Sequence, residues 1–324
     1  MKPIKAILPL LLVLTGGTLV ATAAQAQFGG LGNTVVRNLP VKTPKLPNLL
    51  AGPEPISTSL KDAIWGDAKT DGYTPPAAAL NLATLPRTAE GGFVLAPGYY
   101  KMHAQSYCLH AGTHGPGGGD GYLLGPVKGS AQLAVTTVLR NSVAHPEIAQ
   151  RDIQLLLWAI VARAKFEDLD MRLKGVAATL LPQKMLLGLN RSALSVFSNP
   201  QLNSITGGMP GPIRTVVEAE SRLRGLLTTP GSSYSDIERV AVLGGVAPRG
   251  PGSIDVPATR WSLHPDGYWV RYNPNGYSNT WVEVWVPKGS KGVGKVYDPG
   301  TAIAVPVNTS RQRLAQSARV YGGN

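Results

Sequence analysis

Cys108 is the only cysteine in 324 residues, so this chain folds without an internal disulfide and must rest on buried apolar surface. The constraint matters because the N-terminus reads as an export signal. Lys2 and Lys5 precede an uncharged run over 6–20, and Ala24-Gln25-Ala26 offers small residues at the two positions a signal peptidase reads. The run is short and broken by Gly16-Gly17, which predicts removal rather than anchoring and a mature chain beginning at Gln27. No cysteine directly follows that point, so no lipid anchor is expected. In an oxidising compartment an unpaired thiol is an intermolecular bridge, a reactive group or a buried bystander.

About 298 residues remain after cleavage, enough for one large domain or two modest ones. Removing Lys2 and Lys5 from a formal charge of +12 leaves +10, an excess of bases over few acids rather than a basic tract. That balance fits attraction to an anionic envelope surface and excludes nucleic acid as an expected partner, since bases and aromatics do not cluster. No further transmembrane span is expected after cleavage. The product is expected in the periplasm, at the cell surface or secreted.

Residues 27–56 carry Pro40, Pro44, Pro47, Pro53 and Pro55, too closely spaced for regular structure, and read as a spacer. A short helix is predicted over 57–65, and strands over 92–101 and 106–109. A glycine-rich loop covers 112–121, and 125–129 reads as a turn. One helix is predicted to end near Asn141, and Pro146 to open the next as its first helical residue. Residues 153–162 carry no charge, so that helix should be buried nearly all round. Further helices are predicted over 173–198 and 213–227, with a capping box at Ser235 to Glu238 starting another that ends at Gly244-Gly245. Strands over 268–272 and 280–286 flank Asn273-Pro274-Asn275-Gly276 as a hairpin, and a third strand is predicted over 302–307. From Ser310 the chain reads as a polar, basic tail.

Gln154 lies within the least polar stretch of the mature chain and shares a helix face with Gln150, Trp158 and Val161. An unpaired buried carboxamide costs about 1–3 kcal/mol, so it needs a loop backbone to bond or a chemical change. If Cys108 reaches it, attack on the carboxamide with loss of ammonia gives a thioester. That bond has no N–H left to satisfy and is a stored electrophile toward an amine or water.

These residues carry a resemblance. Tyr107-Cys108, followed by Val138-Leu139-Arg140-Asn141 and then Ile153-Gln154-Leu155-Leu156-Leu157-Trp158, resembles the thioester domains of bacterial surface adhesins over roughly residues 93–165. Ile153 and Leu156 depart from that family's usual hydroxyl and small residues. The resemblance implies a thioester pair of Cys108 and Gln154, shielded by Tyr107 and Trp158, that covalently captures a lysine on a protein or surface. His110 and His114 would assist proton transfer through their nearness in sequence, and neither cofactor nor metal is expected. It implies an α+β fold, a β-sandwich or barrel-like sheet with a helical insertion, followed here by a hairpin-rich β region. The expected divisions are 1–26 signal peptide, 27–56 spacer, 57–230 thioester-domain-like core, 231–309 β-rich region and 310–324 tail.

Two other classes compete. A secreted Cys–His hydrolase or amidase acting on cell-wall material would pair Cys108 with His114 or His264, with Asp120 or Asp266 as third member. A non-catalytic envelope protein would use Cys108 and Gln154 as core filler. The aromatics of the 268–285 hairpin could separately form a glycan-binding face, or simply pack.

Overall fold

A computed structural model describes residues 54–57, 59–117, 119–194 and 211–322; the expected signal peptide and nearly all of the spacer lie outside them. The centre is an eleven-residue strand, β3 (Gly98–Cys108), with β9 (Asn279–Val286) antiparallel on one edge. On its other edge lie β12 (Leu314–Val320), antiparallel, and the two-residue β1 (Leu80–Asn81), parallel. Outward from these run β8 (Trp269–Pro274) and β7 (Ser262–Leu263) on one side, and β11 (Ala302–Pro306) and β5 (Tyr122–Pro126) on the other, while β2 (Phe93–Val94) and β10 (Val296–Tyr297) form a separate antiparallel pair. Alternation decides which way the residues face. Tyr100, Met102 and Ala104 of β3 lie opposite Val284, Val282 and Thr280 of β9, all buried.

The two edges of this sheet meet, making a nearly closed barrel. Ser262 Oγ accepts the Leu124 N–H at 3.0 Å and donates to the Ile64 carbonyl at 2.8 Å, while the Ile64 N–H reaches the Leu124 carbonyl at 2.7 Å. The architecture is therefore mixed α+β, with a barrel-like antiparallel sheet and helices inserted between strands. No described helix is long and apolar enough to cross a membrane.

The helices are α1 (Gln132–Asn141), α2 (Gln150–Val161), α3 (Met171–Leu180), α4 (Gln183–Leu194), α5 (Gly211–Thr228) and α6 (Tyr234–Ala241). Every residue of α2 from Ile153 to Val161 is buried, because β3 lies on one side and α1, α3 and α5 on others. That is the environment its uncharged sequence demands.

Several boundaries differ from the sequence reading, each for a local reason. Helix α2 opens at Gln150, not at Pro146, because Arg319 takes the carbonyls of Pro146 and Ile148 and holds that connection as a turn. The long helix expected over 173–198 breaks before Pro182, where Leu181 takes the extended backbone that a following proline favours. Ser233, not Ser235, caps α6 by accepting the Asp236 N–H, and the helix stops at Ala241. Its next residues form β6 (Val242–Leu243), paired in parallel with β4 (Thr113–His114) inside the expected glycine-rich loop. The expected helix over 57–65 is a single 3-10 turn, Leu60–Asp62. The turn expected at 125–129 begins inside β5.

The largest correction concerns the C-terminus. Residues read as a polar tail form β12, an interior strand between β11 and β3, with Gln312, Arg313, Gln316 and Ser317 all buried. Several of their polar groups find partners inside: Gln312 Nε2 donates to the carbonyls of Thr113 and Ala241, and Arg313 donates to those of Thr309 and Arg311. Because β12 and β3 share one sheet with the hairpin strands β8 and β9, the expected division at residue 230 does not separate two sheets.

Candidate functional site

The site arises where β3 outruns its neighbour. The ladder between β3 and β9 ends at Gln105 opposite Asn279, leaving the last turn of β3 with an open edge. The loop residue Ser278 takes the Ser106 N–H, and α2 covers the rest with two glutamines four residues apart on one helix face. Gln150 Nε2 donates to the carbonyls of Ser106 and Ser278. One turn on, Gln154 Oε1 accepts the Cys108 N–H at 2.8 Å and its Nε2 donates to the Cys108 carbonyl at 3.1 Å. The carboxamide thus acts as a peptide group, exchanging both bonds with one residue as an antiparallel partner would. It satisfies two buried backbone groups and its own burial together.

Cys108 is fully buried and forms no disulfide. Burial, reinforced by the nearby Glu238 carboxylate, pushes its pKa well above the usual value. Around it α6 and the hairpin loop supply groups that sequence spacing did not connect. The Tyr277 hydroxyl donates to Glu238, and the Tyr234 hydroxyl lies 3.0 Å from that of Tyr277. Burial pushes Tyr234 up to about 12, and Tyr277 higher still. Trp158, one turn beyond Gln154 on α2, packs against both rings, with centroids 5.9 and 6.4 Å away. The chain leaves Cys108 through Gly112, at φ +68°, where a Cβ would sit 2.6 Å from Ala219 on α5. Glycine is required there by this close helix crossing.

The other expected site residues fall differently. Tyr107 is buried but projects from the opposite face of β3, its hydroxyl donating to Gln105 at 2.9 Å, so it does not share Cys108's surroundings. The His110 ring faces Arg313, with Nδ1 to Nη1 at 3.3 Å, and burial together with that cation holds it well below the usual histidine pKa. His114 lies on β4, its Nδ1 buried without a hydrogen-bond partner among the described residues. His264 stacks on Tyr268 and accepts the Asp266 N–H, while Asp120 pairs with Arg311. No histidine among the described residues hydrogen-bonds the Cys108 thiol. Of the residues singled out in sequence, the fold gathers Cys108, Gln154 and Trp158.

Glu238, Tyr234 and Tyr277 were missed because their local signals are a helix cap and a turn. Gln150 was legible as a face-mate of Gln154, but its role needed the strand end. Comparison with protein-family models, curated proteins and solved structures returned no match to this chain. Fold and site together define an α+β barrel protein with a buried cysteine–glutamine pair under an aromatic cover.

Proposed function

We propose that this is an exported surface or periplasmic protein whose Cys108 and Gln154 form an internal thioester that captures a lysine amine on a partner, once per molecule. The observation that carries the reading is the pair of hydrogen bonds holding the Gln154 carboxamide across Cys108. Sulfur Sγ of the same residue attacks carbon Cδ, the S–C bond forms as the C–N bond breaks, and the thiol proton leaves with nitrogen as ammonia. The Cys108 N–H already donates to Oε1, the oxygen on which negative charge develops during that attack. In the capture step the incoming amine nitrogen attacks Cδ, an amide forms, and the amine proton returns to sulfur as it departs. The packing of Trp158, Tyr234 and Tyr277 keeps water from the bond.

The hydrolase reading finds less support. A cysteine hydrolase needs a thiolate activated by imidazole, whereas this thiol's pKa is raised and its hydrogen-bond neighbours hold no histidine.

Peptide-level mass spectrometry of freshly purified mature protein tests the proposal. The expected product is a Cys108–Gln154 cross-linked pair lighter by one ammonia, opened by methylamine and absent from Cys108→Ala. An alkylatable Cys108 beside an intact Gln154 in the unfolded, never-treated protein would overturn it. Whole-protein mass is insufficient, because an N-terminal Gln27 also loses ammonia on cyclising.

A further inference from the structure

The outward face of β3, β9 and β8 carries nine side chains in three cross-strand rows. His103, Trp281 and Asn273 form the first; Lys101, Glu283 and Arg271 the second; Tyr99, Trp285 and Trp269 the third. The barrel interior is filled from the alternate positions, and on this side Tyr73 and Trp261 pack on Trp285, with ring centroids 4.9 and 6.5 Å away; neither accounts for Trp281. Trp281 is 44 % exposed. One face of its ring stacks on His103 at 4.5 Å and 8°, and His103 is itself fixed by a 2.8 Å bond from Nε2 to Asn279 Oδ1. The indole is therefore held in orientation before any ligand arrives, which lowers the ordering cost of binding. Beside it runs a shallow groove lined by Lys101, Asn273, Trp281 and Glu283.

The groove's electrostatics select its occupant. Lys101 Nζ and Glu283 Oε1 pair at 2.9 Å, and Arg271 takes the other carboxylate oxygen at 2.6 Å. Both cations, Lys101 and Arg271, are engaged by the one Glu283 carboxylate, so a charged ligand would have to compete with these internal pairs. What remains is a set of donors and acceptors, the ammonium, the carboxylate edge and the Asn273 amide, beside a flat aromatic surface. A pyranose ring with equatorial hydroxyls matches both. Its axial C–H bonds face the indole, and its hydroxyls point outward to polar groups at the ring edge. The third row lies four residues along β9 from Trp281, about 13 Å, with Trp285 and Trp269 stacked at 6.0 Å. A linear oligosaccharide spans that distance across the ion row, which a monosaccharide does not.

We propose that this face is a binding site for uncharged, gluco-configured oligosaccharides, with Trp281 as the stacking platform and Asn273 as a polar contact. It is independent of the thioester reading.

The test is calorimetric titration of the mature chain with cellohexaose and with chitohexaose, monitored in parallel by tryptophan fluorescence. At least one should bind, with affinity little changed by salt. Trp281→Ala should weaken it about tenfold or more, and Asn273→Ala by severalfold, a tenfold loss being 1.4 kcal/mol. Far-UV circular dichroism of both variants checks that these outward-facing changes leave the fold intact. Absence of heat and fluorescence change with both sugars at millimolar concentration would overturn the proposal. So would undiminished binding by folded Trp281→Ala, or an affinity that collapses with salt.

Discussion

At the residue scale the decisive group is the Gln154 carboxamide, since it satisfies both backbone groups of Cys108 in a fully buried place. Gln154→Ala leaves those two groups without partners and opens a void, and should cost roughly 2–4 kcal/mol in denaturant unfolding. Cys108→Ala keeps those backbone bonds and, measured against the wild type before the thioester has closed, should cost clearly less, on the order of 1 kcal/mol. Equal losses would count against this account of the pair. His110 gives a pH signature. Its folded pKa is depressed by burial and Arg313, so the folded state holds it neutral while the unfolded state takes up a proton near 6.5. The associated stability is complete above about pH 6.5 and declines as pH falls toward the depressed folded value. The denaturation midpoint of the wild type should drop between pH 7 and pH 5 more steeply than that of His110→Gln.

At the scale of elements, β3, β9 and β8 are locked in register by Glu283, buried at 4 % exposure between Arg271 on one strand and Lys101 on the other. Glu283→Ala strips the mostly buried Arg271 of its counter-ion and should cost about 3–5 kcal/mol, read as a fall in unfolding midpoint. Lys101→Ala removes a partner that is more than a third exposed and should cost well under 1 kcal/mol. The hairpin itself was legible from its alternation around Asn-Pro-Asn-Gly, and α2 from its apolar spacing. The starts of α2 and α6 were not. The first is set by Arg319, which comes from more than 150 residues away, and the second by a cap two residues earlier than the one the motif named.

For the whole molecule, β12 is the element whose role inverts the sequence reading. Ending the chain after Thr309 would remove an interior strand, its ladders to β11 and β3, and the Gln312 bonds that tie it to Thr113 and Ala241. Such a truncation should give no cooperative unfolding transition and rapid proteolysis, whereas a dispensable tail would leave both unchanged. One hydroxyl contributes to closure of the barrel: Ser262→Ala loses bonds to Leu124 and Ile64 and should cost about 1–3 kcal/mol. By itself the sequence determined the periodic elements, the mixed α+β class, the absence of any internal disulfide and the oddity of a lone cysteine and a glutamine among apolar residues. These follow from local alternation, helical spacing and composition, which the chain carries at short range. Only the tertiary structure decided that β12 is interior and that Tyr107 and Trp158 lie on different sides of Cys108. It alone brings Glu238 and Tyr277 to the thiol and the end of β3 to α2. Those outcomes depend on strand order and on which edge is left unpaired, and contacts between residues 40 to 200 positions apart leave no periodic trace in the sequence.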